Sequence, residues 1–294
     1  MRLSTSTNIA AFLPDSRQKN GFDFCVELCA RAGYKVLDLN LCESMNPNSR
    51  MRTDAWEDYV RDIAALGRRW GVEFAQSHLP YYDLFSRRDP VMEELIRRCI
   101  IASAELGVQW AVTHPGTLYS AGPYTEKSLE ENIAYYSAHL ATAKKAGVGI
   151  ALENDFEYRG PPYRRIFAAD ITELCRLVDA LNDPSVGVCY DFGHANLCGG
   201  FHRENLAIIG RRLRAIHVQD NHFGSDDHLM PFFGKTDWAS AMAALAENGY
   251  EGDLTYEIQE FARFMPNELK HLAVELSVTV GHYLIELFEK AKKG

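Results

Sequence analysis

The 294-residue chain lacks several features that would place it at once. It has no excess of positive charge. Its 31 Lys and Arg stand against 40 Asp and Glu, and the formal net charge of −9 offers no general attraction to nucleic acid. Its seven cysteines (Cys25, Cys29, Cys42, Cys99, Cys175, Cys189, Cys198) are odd in number and include no C-x-x-C pair. That pattern argues against a disulfide framework and for reduced, mostly buried thiols in a cytoplasmic protein. No window is long and apolar enough to span a membrane. The start, "MRLSTSTNIAAFL", lacks the apolar core and cleavage signal of a secreted precursor. No linker or low-complexity tract interrupts the chain, so residues 1–294 are expected to form one domain.

Hydrophobic residues make up 47% of the chain and charged residues 24%, enough to bury a substantial core. Short β-like runs alternate with longer segments of helical periodicity. Strands are expected at 2–7, 35–40, 73–78, 109–114, 149–154, 186–191, 214–219 and 254–259. Segments such as "DAWEDYVRDIAALGRRWG" carry apolar residues at helical spacing. Gly33, Gly71, Gly107, Gly147 and Gly249 fall where helices should end. Eight βα units in a chain of this length predict a closed parallel barrel, the (β/α)8 TIM fold. An open doubly wound sheet would carry a glycine-rich phosphate loop after its first strand, and "STSTNIAAFL" has none. The last segment, "PNELKHLAVELSVTVGHYLIELFEK", reads as a long amphipathic helix that closes the barrel bottom or meets a partner subunit.

In such a barrel, chemistry sits at the C-terminal ends of the strands. The third expected strand ends on His78, the fourth on His114 and the fifth on Glu153. The sixth ends on Asp191 with His194 close behind, the seventh on His217 and the eighth on Glu257. The loop after the seventh adds Asp226 and His228. A lone histidine at a strand end is commonly a hydrogen-bonded anchor. A buried carboxylate is costlier, and several at one rim repel one another unless a cation offsets them. Glu153, Asp191, His217 and Glu257 therefore form an expected divalent-metal set. Three carboxylates and one imidazole suit Mn²⁺, Mg²⁺, Fe²⁺, Co²⁺ or Zn²⁺. Tyr81, Tyr82, Phe192, Phe232 and Phe233 are read as walls of the pocket. Cys189 is read as core, and His139, His202, His222, His271 and His282 as structural or surface residues.

The motifs "HPG", "LEN", "YDFGHAN", "IHVQDN", "DDHLMPFFGKTDW" and "YEI", in this order on eight βα units, resemble the xylose isomerase-like barrel superfamily. The resemblance covers essentially the whole chain. It implies a metal-dependent isomerase or epimerase of a sugar, sugar phosphate or cyclitol. In the ketose 3-epimerases one Mn²⁺-like ion is held at the positions of Glu153, Asp191, His217 and Glu257, which makes Mn²⁺ the metal the resemblance implies first, and the two glutamates serve as acid and base. In endonuclease IV relatives up to three zinc ions are held, and the additional ligands match His78, His114, His194, Asp226 and His228. His78, His114, His194, Tyr81 and Phe233 are expected to contact the substrate. A keto-sugar dehydratase or lyase, an abasic-site endonuclease and a non-catalytic sugar-binding subunit stand as alternatives. The expected partner is a small sugar-like molecule, with neither membrane nor nucleic acid, and a homo-oligomer is compatible. Two departures stand out. "PFFGKTDW" replaces the more usual "PGEG" before the "DW" pair, which suggests a more apolar substrate end. No basic residue follows His217 closely, which leaves Arg159, Arg164 and Arg165 as candidates to grip the substrate.

Overall fold

The computed structural model describes residues 1–13, 20–86, 89–119, 124–157 and 166–293. Arg159, Arg164 and Arg165 lie outside the described residues. Eight parallel strands run as β1 (Leu3–Ser6), β2 (Val36–Asn40), β3 (Glu73–His78), β4 (Trp110–Thr113), β5 (Gly149–Glu153), β6 (Val186–Asp191), β7 (Leu213–His217) and β8 (Leu254–Tyr256). The helices between and after them are α1 (Phe22–Ala32), α2 (Trp56–Trp70), α3 (Pro90–Glu105), α4 (Tyr124–Ala146) and α5 (Ile171–Leu181), then α6 (Phe192–Leu197), α7 (His202–Ile209), α8 (Trp238–Asn248) and α9 (Lys270–Lys293). The strand order is β7-β6-β5-β4-β3-β2-β1-β8. A bridge between Val218 and Tyr256 joins the two ends, so the sheet closes as a TIM barrel.

The strands are buried on both faces, which is why β5 and β6 read as nearly unbroken apolar runs. α1, α2 and α8 end on Gly33, Gly71 and Gly249 in the left-handed conformation. Gly107 and Gly147 also have positive φ where the chain leaves α3 and α4. Both outer strands of the seam are shorter at the mouth than the apolar runs predict. Past His217 only Val218 still pairs with the eighth strand, bridging Tyr256 and accepting from the Glu257 amide at 3.2 Å, before Asp220 turns to pair with Leu229 in an antiparallel bridge. Cys25, Cys29, Cys99, Cys175 and Cys189 are buried, and Cys42 and Cys198 are half-buried. Among the described residues no helix is long and apolar enough to cross a membrane.

The main core lies between the sheet and its helices. A second, smaller apolar cluster of Val112, Ala151, Cys189 and Ala215 fills the barrel interior. These four come from β4, β5, β6 and β7. Side chains alternate along a strand, so the residues two positions further on share the inward face. Those residues are His114, Glu153, Asp191 and His217. The pleat thus stacks a polar layer directly above an apolar one, at the C-terminal rim.

Candidate metal centre at the barrel mouth

Glu153, Asp191, His217 and Glu257 each offer one ligand atom, and these atoms all lie within 4.8 Å of one another. His217 Nδ1 is 2.7 Å from Glu153 Oε1 and 3.4 Å from Glu257 Oε2. Glu153, Asp191 and His217 are fully buried, whereas Glu257 keeps a little exposure to the mouth. Among the described residues three further groups meet the same spacing: Glu153, Cys189 and His217 just beneath, His78, His114 and Glu153 on one side, and His194, Asp226 and His228 on the other. His78 Nε2 and His114 Nε2 are 3.4 and 3.2 Å from Glu153 Oε2. His194 Nε2 and His228 Nε2 are 3.4 and 2.8 Å from Asp226 Oδ2. Every strand-end acid and imidazole named from the sequence therefore reaches one mouth.

The supporting contacts orient these rings. His194 Nδ1 donates to the Asn154 carbonyl and His228 Nδ1 to the Glu257 carbonyl, each at 2.9 Å, which turns both Nε2 atoms toward Asp226. Asp191 Oδ1 accepts from the His194 amide at 2.6 Å and from Gln219 Nε2 at 3.3 Å. Gln219 Nε2 also donates to Asp226 Oδ1 at 2.7 Å, so one amide ties two of the groups together. Gly193 leaves room for it: a Cβ there would stand 2.0 Å from the Gln219 amide carbon.

The electrostatics are those of a crowded, desolvated cluster. Burial pushes the Asp191 carboxyl up to about 7, helped by Glu153 and Glu257 and opposed by His194. Burial also raises Asp155 to about 6. It holds the His114 imidazole down to about 3. For Glu153 burial works to raise the pKa, but His217 and His114 outweigh it and the carboxyl stays well below the usual range. Burial likewise opposes the charged form of His228, yet Asp226 and Glu257 carry it up to about 10. Glu153 Oε2, Asp191 Oδ2 and Asp38 Oδ1 are buried with no hydrogen-bond partner among the described residues. Buried carboxylate oxygens without a donor are costly, and a divalent cation is the ligand that this donor chemistry fits.

Two inward residues were not singled out in the sequence. Asp38 reaches across the barrel from β2 and places Oδ2 3.1 Å from His217 Nε2. Gln76 on β3 puts Nε2 2.9 Å from the same atom and 3.1 Å from Asp38 Oδ2. Phe156 packs its ring 5.1 Å from that of His194, and Cys42 Sγ lies 3.3 Å from His78 Nδ1. Of the expected pocket walls, Tyr81 stands exposed with its ring edge-on to His114 at 4.9 Å. Phe232 and Phe233 are half-exposed, and Phe233 packs on Phe261. Tyr82 and Phe192 are corrected. Phe192 follows inward Asp191, so the pleat sends it outward into the core against Tyr190 and Trp238. Tyr82 is buried with its hydroxyl 2.9 Å from that of Tyr135. Cys189 belongs to the interior apolar layer. Of the histidines read as structural or surface, His139 and His202 are buried in the body of the protein, while His222, His271 and His282 are exposed.

A sequence profile described as the xylose isomerase-like TIM barrel matches residues 26–273. An uncharacterised protein of Methanocaldococcus jannaschii is 27% identical over 237 residues, covering 74% of this chain and 79% of its own. The L-ribulose 3-epimerase of a Methylomonas species is 24% identical over 238 residues, covering 78% and 75%. The crystal structure of a D-tagatose 3-epimerase-like protein superposes with a TM-score of 0.75 over 99% of both chains at 22% identity. With the profile spanning most of its length and the eight-stranded barrel it describes observed, the chain belongs to the xylose isomerase-like TIM barrel family.

Proposed function

We propose that the protein is a divalent-metal-dependent sugar isomerase or epimerase that moves a proton on the carbon next to a carbonyl. The observation that carries this reading is the convergence of Glu153, Asp191, His217 and Glu257 within 4.8 Å, because it sets two glutamates beside one cation-fitting point. Ketose 3-epimerases among the relatives and structural neighbours support the same substrate class. Glu153, Asp191, His217 and Glu257 would hold the ion, with Mn²⁺ as the favoured metal. Bound there, it supplies Lewis-acid stabilisation of the negative charge that grows on the substrate oxygens.

The protein's own groups do the rest. One of the Glu153 and Glu257 carboxylates removes the proton from the carbon next to the carbonyl. The other returns it to the opposite face, giving an epimer, or to the neighbouring carbon, giving an isomer. His194, with Nδ1 tied to the Asn154 carbonyl, presents Nε2 for a substrate oxygen. His78 and His114 flank Glu153, and Tyr81 covers His114 from the solvent side. Burial of the cluster keeps bulk water from quenching the carbanion-like intermediate.

A second reading draws on the two flanking groups. With His78, His114 and Glu153 on one side and His194, Asp226 and His228 on the other, the mouth has the ligand inventory of a three-ion hydrolytic centre. That reading predicts about three zinc ions per chain and cleavage of abasic duplex DNA. The test is direct. The manganese-loaded protein is incubated with ketopentoses and ketohexoses in deuterated water, and metal-dependent exchange at the carbon next to the carbonyl is followed by NMR. Exchange with at least one sugar is expected. No exchange with any of them, together with three tightly bound zinc ions and abasic-site cleavage, replaces the first reading with the second.

A further inference from the structure

One side chain below the rim has the chemistry to hold a cation and no part in the proposed reaction. Cys189 is fully buried on β6, two residues before Asp191 and on the same inward face. Its Cα pairs with that of Glu153 on β5, and on the other side with that of Ala215 on β7, two residues before His217. The register therefore sets the thiol between the glutamate of one neighbouring strand and the imidazole of the other. Glu153, Cys189 and His217 each offer one ligand atom, and these atoms all lie within 4.8 Å of one another. Ligand atoms at about 2.1 and 2.3 Å from a tetrahedral ion stand about 3.6 Å apart, so the three lie within about 1.2 Å of that arrangement.

This inner set differs in kind from the rim set. Glu153, Asp191, His217 and Glu257 combine three carboxylates with one imidazole, which suits an oxygen-seeking ion such as Mn²⁺. The inner set exchanges two of those carboxylates for one sulfur, and thiolate selects softer ions. Beneath it Val112, Ala151 and Ala215 form an apolar floor, with Trp110 packed against them. An ion resting on that floor keeps few waters, a condition that Mg²⁺ resists.

The two positions also compete for one atom. His217 Nε2 lies 3.1 Å from Asp38 Oδ2 and 2.9 Å from Gln76 Nε2, which leaves Nδ1 as the nitrogen that faces a cation. A neutral imidazole has one acceptor nitrogen, so Nδ1 serves either the rim or the inner position. We propose that Glu153, Cys189 and His217 form an inner site for thiophilic divalent cations, Zn²⁺ or Cd²⁺, and that an ion held there excludes the one at the rim. Binding breaks the S–H bond: the sulfur keeps the electron pair and gives it to the cation, and the proton leaves to solvent. The choice between sulfur and two further carboxylates thus sorts metals by softness within one barrel. The proposal rests on the reading of the rim as a divalent-metal centre.

Cadmium added to the metal-free full chain tests it, because a cadmium–thiolate bond adds a sulfur-to-metal charge-transfer band in the ultraviolet. The band is expected to grow to about one equivalent per chain. Cys42, whose Sγ is 3.3 Å from His78 Nδ1, is the control: Cys42→Ser should keep the band and Cys189→Ser should remove it. By titration calorimetry Cys189→Ser should weaken the tight Cd²⁺ site at least about a hundredfold and change Mn²⁺ affinity by less than about threefold. Retained Mn²⁺ binding also shows that the variant is folded, and Cys189→Ala carries the same expectations. In the unaltered protein Cd²⁺ should expel Mn²⁺, read as the return of the free Mn²⁺ signal in electron paramagnetic resonance. A tight cadmium complex without the band, or a band that Cys189→Ser keeps, overturns the inner site while Mn²⁺ binding upholds the rim. Mn²⁺ and thiolate-bound Cd²⁺ held together overturn the exclusion. A chain that binds neither ion overturns the rim reading itself.

Discussion

At the residue scale, His217 stands between two sets of carboxylates, with Glu153 and Glu257 at Nδ1 and Asp38 at Nε2. Glu153, Asp191, His217 and Glu257 stand at strand ends, and a carboxylate closing an apolar run is a local signal. Asp38 and Gln76 lie inside "VLDLN" and "EFAQSH", where single polar residues read as ordinary alternation. Only the curvature of the barrel brings β2 opposite β7 and sets Asp38 on His217. A buried aspartate between leucines was nonetheless a warning that something inside the barrel needs a carboxylate. Its position suggests what. If His217 offers Nδ1 to a cation, Nε2 must carry the proton, and Asp38 Oδ2 is the acceptor that fixes that tautomer. The Gln76 amide then turns its oxygen toward the imidazole or donates to Asp38 alone. Asp38→Asn should lower divalent-metal affinity by about 10- to 100-fold. Titration calorimetry measures the loss. A nitrogen-15 spectrum of the metal-free protein should show the His217 tautomer mixture shifting, which a merely structural residue would not cause.

At the element scale, the βα alternation set eight strands within a few residues of their observed bounds, because burial on both faces leaves a continuous apolar signature. Their ends were harder to place where the loop after β7 takes over. That loop is organised by one buried carboxylate. Asp220 accepts from the amides of Asn221, Phe232, Gly234 and Thr236, the Thr236 hydroxyl and the Trp238 indole. Sequence spacing gives no hint of six donors meeting one side chain. Asp220→Ala should cost about 4 kcal/mol in urea unfolding, since several buried donors lose their acceptor at once. It should also loosen Asp226 and His228, which the same loop carries.

Helix α7 gives a pH signature. His202 is buried at its start, with Nδ1 3.0 Å from the Tyr190 hydroxyl. Burial holds its pKa down to about 4 against an ordinary 6.5. The unfolded chain therefore takes up the proton first as the pH falls. The stability this neutral imidazole contributes is full above about pH 6.5 and is lost progressively toward pH 4. By pH 5 the loss is about 2 kcal/mol. Urea unfolding of the native chain and of His202→Asn should draw together by about that amount between pH 7.5 and pH 5. A gap that stays constant would mean that His202 keeps its ordinary pKa in the fold.

At the scale of the whole molecule, the barrel concentrates acidic groups from all round its circumference at one rim. Fold class was readable because the count and order of βα units constrain topology. The meeting of distant side chains followed from that topology, since a closed parallel barrel has one C-terminal mouth. The contact distances did not follow, because they depend on shear and pleat around the full circle. The convergence also carries an energetic cost. Glu153, Asp191 and Asp38 each keep a buried oxygen without a donor, so the cation-free fold contains repulsion and unmet solvation that the unfolded chain does not. A divalent cation that binds only the folded state should add about 2.7 kcal/mol at a concentration one hundred times its dissociation constant. For a chain of this size that is about 5 °C or more in melting temperature. Millimolar Mn²⁺ against EDTA in a thermal melt reads it, and the same ionic strength of NaCl should not reproduce it. Asp191→Asn should abolish the Mn²⁺ shift while melting at or above the cation-free native protein, because it removes a buried charge that burial already pushes up to about 7. An undiminished Mn²⁺ shift in that variant would place the cation on residues other than this rim.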